Sequence, residues 1–321
     1  MAPIVYAGTS GQGVWYSTDL GENWKRPLRG WAGMYLETRV WALAAHPQEP
    51  RFVYAGTESG IYRWGVSDRQ WTHLPSPMDT MQVWSLAMHP QNPATLYAGT
   101  RPAALFRSAD AGQTWERVNV EFSPTCEFIF HPRVTTLFFD PTDEQTLWAG
   151  AEIDGVRRST DGGKTWQICN DGLPTLDIHG MAVVQNGTKA IFTTTNEGLF
   201  RSEDNGASWH HLRLHSTWQY TRTIWPRADG KGTIFLTNGD GPPGSTGRLW
   251  RSRDYGATWE DAGLPPVLNS TPWCIATNAA DPNLIFVCSN LGQFFRSTDG
   301  GETWGKLARE LGEVRALMWT A

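Results

Sequence analysis

An eight-residue pattern that recurs along the whole chain constrains its fold more than any other sequence feature. Six copies read Ser-x-Asp-x-Gly-x-Thr/Ser-Trp, with Asn23 as the one departure in the first copy. They occupy residues 17–24, 108–115, 159–166, 202–209, 252–259 and 297–304. Asp68 and Trp71 mark a degenerate seventh copy in the double-length gap between the first two. The average spacing is about 47 residues, which is the length of one four-stranded antiparallel unit.

The residues between the markers predict four short strands in each repeat. In the second repeat these strands cover 39–45, 52–57, 61–64 and 70–74, separated by turns that contain Pro or Gly. Residues 4–9 match a second strand, whereas 313–319 match a first strand with nothing after it. We therefore predict an all-β chain that forms a single domain over residues 1–321. This domain is a seven-bladed β-propeller of four-stranded antiparallel blades, closed by pairing of the C-terminal strand with the three N-terminal strands.

Charge and hydropathy exclude several classes of partner. The formal net charge is -5 and no Lys/Arg cluster occurs, so we expect no nucleic-acid partner. No run approaches the ~18 apolar residues needed to cross a bilayer, so no membrane partner is expected. The N-terminus lacks the basic start and apolar run of a signal peptide. We expect a cytoplasmic monomer, or an extracytoplasmic one if a leader was removed.

The repeated aspartates are predicted to be structural. These are Asp19, Asp110, Asp161, Asp204, Asp254 and Asp299. In each copy the carboxylate can accept hydrogen bonds from turn amides, the Gly permits positive φ, and the Trp can fill the gap beside the next strand. An active site needs different residues in different roles, whereas this pattern repeats one residue. The chemistry must therefore be sought elsewhere.

Each inner strand carries a Leu, Ile or Met at an equivalent position, and aligning these residues gives a common register for the seven repeats. They are Leu43, Leu86, Leu137, Met181, Ile224, Ile275 and Leu317. Two positions earlier the residues are Trp41, Trp84, Thr135, His179, Arg222, Trp273 and Arg315. Four positions earlier they are Arg39, Gln82, Arg133, Asp177, Tyr220, Thr271 and Glu313. A period of two places both sets on one face of each strand, near its start. Residues with only a packing role would be of a similar type in every repeat, as the Leu, Ile and Met residues of the register are. The residues of the two earlier sets differ from repeat to repeat. We therefore predict a ligand-binding funnel on the face opposite the repeated aspartates.

The types of residue in this funnel suggest their roles. Trp41, Trp84 and Trp273 can stack on a sugar or another flat ligand. Arg39, Arg133, Arg222 and Arg315 can hold a carboxylate, sulfate or phosphate. Asp154 and His131, from adjoining loops, complete the predicted ligand-binding set. The candidates for proton transfer are Asp177, Glu313, His179 and Tyr220.

A glycosidase would need a pair of carboxylates, and the candidate pairs are Asp177 with Glu313 and Asp177 with Asp154. The alternative interpretation is that the arginines pair with Asp177 and Glu313 to seal a wet channel, while the tryptophans fill blade interfaces. No metal or other cofactor is expected, because His131, His179, Asp177 and Glu127 do not lie at the spacing of metal ligands.

Four loops on the funnel side are longer than the repeat requires. They cover residues 27–38, 118–132, 212–221 and 237–248. We expect their polar and aromatic residues to surround the opening, as binding loops on a rigid scaffold do. These residues are Trp31, Tyr35, Phe122, Phe128, His131, Trp218 and Asp240. The alternative, that each loop is a tolerated surface insertion, stays open.

The octapeptides resemble the Asp-box, or BNR, repeats of bacterial sialidases, xyloglucan-cleaving hydrolases, sortilin-type receptors and Ycf48-like photosystem assembly factors. Residues 89–100, His-Pro-Gln-Asn-Pro-Ala-Thr-Leu-Tyr-Ala-Gly-Thr, are more similar to the last three groups than to true sialidases. The resemblance implies one of two functions. The funnel binds a small anionic or carbohydrate-like ligand, with glycosidase-like or lyase-like chemistry, or the propeller is a non-catalytic scaffold for a protein partner.

The resemblance to particular families has limits in this sequence. True sialidases have six blades and an early Arg-Ile-Pro element, whereas Arg222-Thr223-Ile224-Trp225-Pro226 differs from that element and falls late in the chain. The xyloglucan hydrolases work in a cleft between two propellers. Their catalytic aspartates match no position here.

Overall fold

The computed structural model describes residues 2–27, 33–46, 52–65, 67 and 69–321. Asp68 of the degenerate repeat and Trp31 of the first long loop lie outside these residues. No helix occurs in the part of the chain that the structure describes, and the strands form seven separate antiparallel sheets. The prediction of an all-β, seven-bladed propeller is confirmed.

Six blades each consist of four consecutive strands, the first of which is the inner strand. Blade 1 contains Val40–Ala45, Phe52–Thr57, Gly60–Gly65 and Gln70–Leu74. Blade 2 contains Gln82–Met88, Leu96–Arg101, Leu105–Ser108 and Glu116–Arg117. Blade 3 contains Arg133–Asp140, Asp143–Glu152, Gly155–Ser159 and Gln167–Ile168. Blade 4 contains Ile178–Asn186, Thr188–Thr195, Gly198–Ser202 and His210–Leu212. Blade 5 contains Tyr220–Pro226, Ile234–Gly239, Gly247–Ser252 and Glu260–Asp261. Blade 6 contains Pro272–Ala276, Ile285–Ser289, Phe294–Ser297 and Gly305–Lys306.

Blade 7 closes the ring from both ends of the chain. Its inner strand, Val314–Thr320, pairs antiparallel with Ile4–Thr9, which in turn pairs with Val14–Ser17. A single bridge between Tyr16 and Lys25 stands at the position of the fourth strand. The inner strand of blade 7 also lies beside the inner strands of blades 6 and 1. The described sheets therefore form a closed ring, as the sequence predicts.

The hydrophobic core lies between the blades, in clusters that each take residues from two neighbours. Tyr54 and Ile61 of blade 1, for example, pack with Val83 and Leu96 of blade 2. All four side chains are almost fully buried. Each interface therefore depends on both of its blades, and stability is shared around the ring.

The repeated octapeptides fasten each blade to the one before it. In six blades, a glycine of the octapeptide packs against an aromatic ring from the second strand of the preceding blade. The pairs are Gly21 with Phe286, Gly112 with Tyr54, Gly163 with Tyr97, Gly206 with Trp148, Gly256 with Phe192, and Gly301 with Phe235. Tyr97 also donates a hydrogen bond from its hydroxyl to the Gly162 carbonyl, at 2.7 Å. All six glycines have positive φ, and a Cβ at Gly163 would lie 2.5 Å from the Tyr97 hydroxyl.

Each octapeptide forms the turn between the third and fourth strands, and its carboxylate is saturated with hydrogen bonds. In the third copy, Asp161 accepts bonds from the Ser159 hydroxyl, the Thr165 amide and the Thr165 hydroxyl, at 2.8, 2.9 and 2.6 Å. The Ser159 hydroxyl also accepts the Gly163 amide at 2.9 Å. The other five copies repeat this pattern. These turns lie at the ends of the inner strands, on the face opposite their starts.

We expect the octapeptides to make stability fall in acid. Hydrogen bonds from the side chain and amide of the residue four positions later lower the pKa to about 2 at Asp19, Asp110, Asp161 and Asp299, from 3.8. Because the folded state holds these protons more weakly, their stabilising contribution is present above pH ~4 and is lost as the pH falls towards 2. Melting temperatures between pH 6 and pH 2 test this. Asp161→Asn should melt lower than wild type at pH 6 and decline less steeply, whereas an unchanged melting temperature at pH 2.5 in wild type would refute it.

No helix among the described residues is long and apolar enough to cross a membrane.

Candidate functional site

The starts of the inner strands surround a cavity of about 100 Å³ on the ring axis. One residue from each blade lines it, and all seven stand two positions before the Leu register. The lining residues are Trp41, Trp84, Thr135, His179, Arg222, Trp273 and Arg315, with Thr223 and Cys274 beside them. The structure therefore brings together the whole first set of predicted funnel residues. The cavity has room for several water molecules or one small chemical group.

Aromatic rings and guanidinium groups are layered in this cavity. The rings of Trp41 and Trp84 stack with centroids 4.3 Å apart and an interplanar angle of 10°. The Cζ atom of Arg133 lies 4.0 Å from the centre of the Trp84 ring. The Cζ atoms of Arg222 and Arg315 lie 4.4 and 5.0 Å from the centre of the Trp273 ring. These contacts hold three positive charges over the faces of the indoles.

Two of these three arginines are paired with carboxylates. Arg133 forms a two-point ion pair with Glu152, and Arg315 pairs with Glu313. Within the described residues, no ion pair involves Arg222. The alternative interpretation of internal salt bridges therefore holds for Arg315 with Glu313. It does not hold for Asp177, whose partner is a histidine, or for Arg222.

Asp177 and His179 form a close contact beside the cavity. Nδ1 of His179 lies 2.7 Å from the Thr221 carbonyl oxygen, which can only accept a hydrogen bond, so Nδ1 carries a proton. Nε2 lies 3.3 Å from Oδ2 of Asp177. The Thr221 carbonyl therefore fixes the orientation of the ring, with Nε2 directed at the carboxylate.

The electrostatic surroundings favour the ionised form of Asp177. Burial opposes ionisation, but the hydrogen bond and charge of His179 and the charges of Arg222 and Arg133 together hold the pKa of Asp177 below its usual value. Its Oδ1 atom is buried and has no hydrogen-bond partner in the described chain. Asp177 is therefore the ionised partner in its contact with His179.

Tyr220 packs behind these groups. Its ring centre lies 4.8 Å from that of His179 and 6.3 Å from that of Trp273. Burial raises the pKa of Tyr220, so the phenol stays neutral at physiological pH. Tyr220 therefore serves better to position His179 than as a nucleophile.

Three predicted binding residues lie away from the cavity. Arg39 is 56% exposed, and its nearest carboxylate is that of Glu58, 3.9 Å away. The Asp154 carboxylate is buried, with hydrogen bonds from Ser123 and an ion pair to Arg157 at 3.2 Å. Nδ1 of His131 lies 2.8 Å from the Pro124 carbonyl oxygen. Asp154 therefore anchors the loop over residues 118–132.

Glu152, Asp177 and His179 bring three potential metal-ligand atoms within 4.8 Å of one another. Their donors are already committed, because Arg133 binds both oxygens of Glu152 and His179 binds Asp177. A divalent cation would also meet the charges of Arg133 and Arg222. The group is therefore poorly suited to a metal ion.

Two phenylalanines stand exposed in the loop that precedes the inner strand of blade 3. Phe128 and Phe130 are 94% and 67% exposed and both have φ of 65°. The Ile129 amide donates to the Glu127 carbonyl, and the His131 amide donates to the Ile129 carbonyl, at 2.7 and 2.8 Å. These are two successive γ-turns of the rare, strained type. The loop thus displays two apolar rings close in sequence to Arg133.

Comparison with known families identifies the repeats. The BNR-Asp box repeat matches residues 249–262, and the BNR/Asp-box repeat matches residues 15–26 and 157–167. The chain is a seven-bladed Asp-box propeller. The turns described above are its Asp boxes.

Curated relatives of this Asp-box propeller include two xyloglucanases. Xyloglucanase Xgh74A of Acetivibrio thermocellus is 29% identical over 251 residues, which cover 63% of this chain and 28% of that protein. A xyloglucanase of Paenibacillus sp is 26% identical over 338 residues, covering 88% of this chain and 32% of that protein. The Asp-box propeller therefore spans about a third of the length of these relatives.

Solved structures with the same fold fall into more than one functional class. The GH74 xyloglucanase from Xanthomonas campestris has a TM-score of 0.67 at 22% identity, covering 89% of this chain and 46% of that chain. YCF48 bound to D1 peptide has a TM-score of 0.59 at 13% identity, covering 88% and 83%. At these identities the similarity establishes the fold of the Asp-box propeller and leaves its function to be argued from the site.

Glu152 lies beside the cavity of the Asp-box propeller but does not belong to the inner-strand positions from which the funnel was predicted. It ends the second strand of blade 3, where it pairs in register with Arg133. The predicted antiparallel order of the strands contained this signal, because the residue opposite Arg133 must reach the same end of the blade. The predicted ring of funnel residues did not include Glu152, because that ring was built from the first strand of each blade alone.

Proposed function

We propose that the cavity and its rim bind a carbohydrate ligand and that the propeller acts as a glycoside hydrolase-like protein. The observation that carries this proposal is the layered arrangement of Trp41, Trp84 and Trp273 with arginines at a mouth opposite the Asp boxes. Aromatic side chains that surround a concave site with a few convergent polar groups are typical of small-ligand sites, where the polar groups fix the orientation of the ligand. The xyloglucanase relatives support the same class of ligand.

The size of the cavity limits what can enter it. A volume of about 100 Å³ admits one small group of a sugar rather than a chain of several sugars. Additional sugar units must therefore lie on the rim. Phe128 and Phe130 offer exposed apolar surfaces there, on a backbone that fixed γ-turns hold in place.

The chemistry available at the cavity is proton transfer. The Asp177 and His179 pair places a carboxylate beside an imidazole, and Glu152 brings a second carboxylate within 4.8 Å of it. A glycosidase uses one group that donates a proton to the leaving oxygen and one that stays ionised. In this proposal His179, the member of the pair that lines the cavity, gives up its contact with Asp177 and passes a proton to the leaving oxygen as the glycosidic bond breaks, and water adds to the sugar and returns a proton to the pair.

Calorimetric titration of xyloglucan oligosaccharides and glucose tests the proposal. Wild type should bind the oligosaccharides, and the double variant Phe128→Ala and Phe130→Ala should bind them about tenfold more weakly, because it loses two stacking surfaces. Glucose reports on the cavity alone, so its affinity should be equal in both proteins. Ile168→Ala, which removes an exposed apolar side chain from the outer strand of blade 3, is the control. No heat of binding from any neutral or acidic saccharide in wild type would overturn the proposal.

A second candidate function is a scaffold for a protein partner. The observations that favour it are the exposure of Phe128 and Phe130 and the structural similarity to YCF48 bound to a peptide. In this case the rim would contact a polypeptide, and the arginine cavity would be a secondary feature. The saccharide titration separates the two candidates, because a scaffold gives no response to sugars.

A further inference from the structure

The hydrogen-bonding state of the cavity wall narrows the ligand that fits it. Most polar side chains of the wall are already committed within the fold. The Thr135 hydroxyl donates to the Ile178 carbonyl at 2.6 Å, the Thr223 hydroxyl to the Trp273 carbonyl at 2.6 Å, and the Trp84 indole to Gln82 at 2.9 Å. His179 uses both of its ring nitrogens. These groups are unavailable to a ligand unless the fold gives up a hydrogen bond.

The groups of the wall that stay uncommitted are all donors. Trp41 has a buried indole N–H, and Arg315 has a buried Nε–H, that find no acceptor among the described residues. Arg222 has no ion pair in the described chain, although its Cζ lies 4.4 Å from the centre of the Trp273 ring. A buried donor without an acceptor is unfavourable, so Trp41 and Arg315, together with the unpaired charge of Arg222, favour a ligand that accepts hydrogen bonds.

The charges at the wall point the same way. No carboxylate is among the residues that line the cavity. Three nearby carboxylates lie behind the wall and each has a partner: Glu152 with Arg133, Glu313 with Arg315, and Asp177, through Oδ2, with His179. Oδ1 of Asp177 has no partner among the described residues. Arg222 is therefore the guanidinium left to pair with something from outside. The protein as a whole carries a net charge of -5, so this cavity is a local exception.

We infer that the cavity is a site for a small oxyanion, held by Arg222, Arg315 and the Trp41 indole. The ligand chemistry is a carboxylate, sulfate or phosphate group, either free or carried on a sugar. An oxyanion offers acceptors only and so matches a wall whose free groups are donors only. A neutral sugar brings hydroxyl protons that would find few acceptors here. This inference rests on the proposed function only in placing the ligand in the same cavity.

Calorimetric titrations at constant ionic strength test the inference. The ligands are sodium sulfate, sodium phosphate, sodium glucuronate and the neutral methyl glucoside, in a sodium chloride background. We expect at least one anion to bind wild type more tightly than methyl glucoside by about tenfold or more. Glucuronate alone would assign the oxyanion to a sugar acid, whereas sulfate or phosphate alone would assign it to a free anion.

Two variants locate the site. Arg222→Gln should weaken anion binding by at least about tenfold, since it removes a charge-assisted bond. Trp41→Phe keeps the aromatic face while removing the N–H, and should weaken anion binding by about three- to tenfold. Arg107→Gln is the control, because Arg107 pairs with Glu116 in the outer part of blade 2, away from the cavity. The melting temperature of each unliganded variant reports its folding.

Anion affinities that are equal in wild type and in folded Arg222→Gln and Trp41→Phe would overturn the inference. So would a wild type that binds methyl glucoside and none of the anions, and in that case the proposed carbohydrate function would survive. If an anion binds and no neutral saccharide binds, the inference is supported. The saccharide-binding rim that the proposed function requires is then contradicted.

Discussion

Removing residues 314–321 abolishes cooperative unfolding of the propeller. This segment is the inner strand of blade 7, and it pairs with Ile4–Thr9 along nearly its whole length. Val314 and Trp319 are almost fully buried in the interface with blade 6. Burial of each large apolar side chain contributes about 1.5–3 kcal/mol, and a whole domain is stable by only about 5–15 kcal/mol. The loss also leaves the edge of Ile4–Thr9 unpaired, because this strand is the hydrogen-bonded neighbour of the removed segment.

Differential scanning calorimetry gives the decisive comparison for this truncation. A variant that lacks Ala321 alone is the control, because that residue is exposed and lies outside the strand. It should unfold as wild type does. A truncated protein that still unfolds in one sharp transition, within a few degrees of wild type, would show that blade 7 does not close the ring energetically.

Asp177→Asn removes the carboxylate that contacts His179 and should lower any hydrolytic turnover by about 10²- to 10⁴-fold. The amide keeps the size of the carboxylate but cannot stabilise a protonated imidazole 3.3 Å away. Because Asp177 does not line the cavity wall, saccharide affinity should change much less than turnover. The measurement is the release of reducing ends from xyloglucan oligosaccharides and from acidic oligosaccharides, with affinity followed separately by calorimetry.

Glu197→Gln is the matched control for Asp177→Asn. Glu197 is an exposed carboxylate between the second and third strands of blade 4, on the same face as the cavity. Its removal changes the net charge equally and should leave turnover unchanged. If Asp177→Asn hydrolyses a substrate of wild type at the wild-type rate, proton transfer by this pair is ruled out.

Much of the fold could be predicted because the Asp box repeats its own physical requirements. The spacing of Asp19, Asp110 and the later copies gave the blade length, and the unmatched strand patterns at the two ends gave the closure of blade 7. What the repeat did not reveal was how blades contact each other. The packing of Gly163 on Tyr97 joins residues 66 positions apart, and only the assembled ring shows it.

The candidate site could be predicted as a set of positions but not as a set of partners. A period of two along the inner strands was enough to place Trp41, Trp84 and Arg222 around one cavity. The choice of ion pairs depends on side-chain geometry across strands, which the pattern does not contain. For that reason the sequence could name Asp177 and Glu313 as candidate catalytic carboxylates but not show that Asp177 contacts His179 and that Glu313 pairs with Arg315.

The indole N–H signals of the 18 tryptophans in a ¹H–¹⁵N correlation spectrum can show whether a carbohydrate-type ligand enters the cavity on the face opposite the Asp boxes. Trp41, Trp84 and Trp273 line the cavity, whereas Trp115, Trp166 and the equivalent tryptophans lie in the Asp boxes. Assignment by single Trp→Phe variants separates the two groups. On titration with glucuronate or xyloglucan oligosaccharides, we expect the three cavity signals to shift and the Asp-box signals to stay in place. Shifts confined to the Asp-box signals would contradict it.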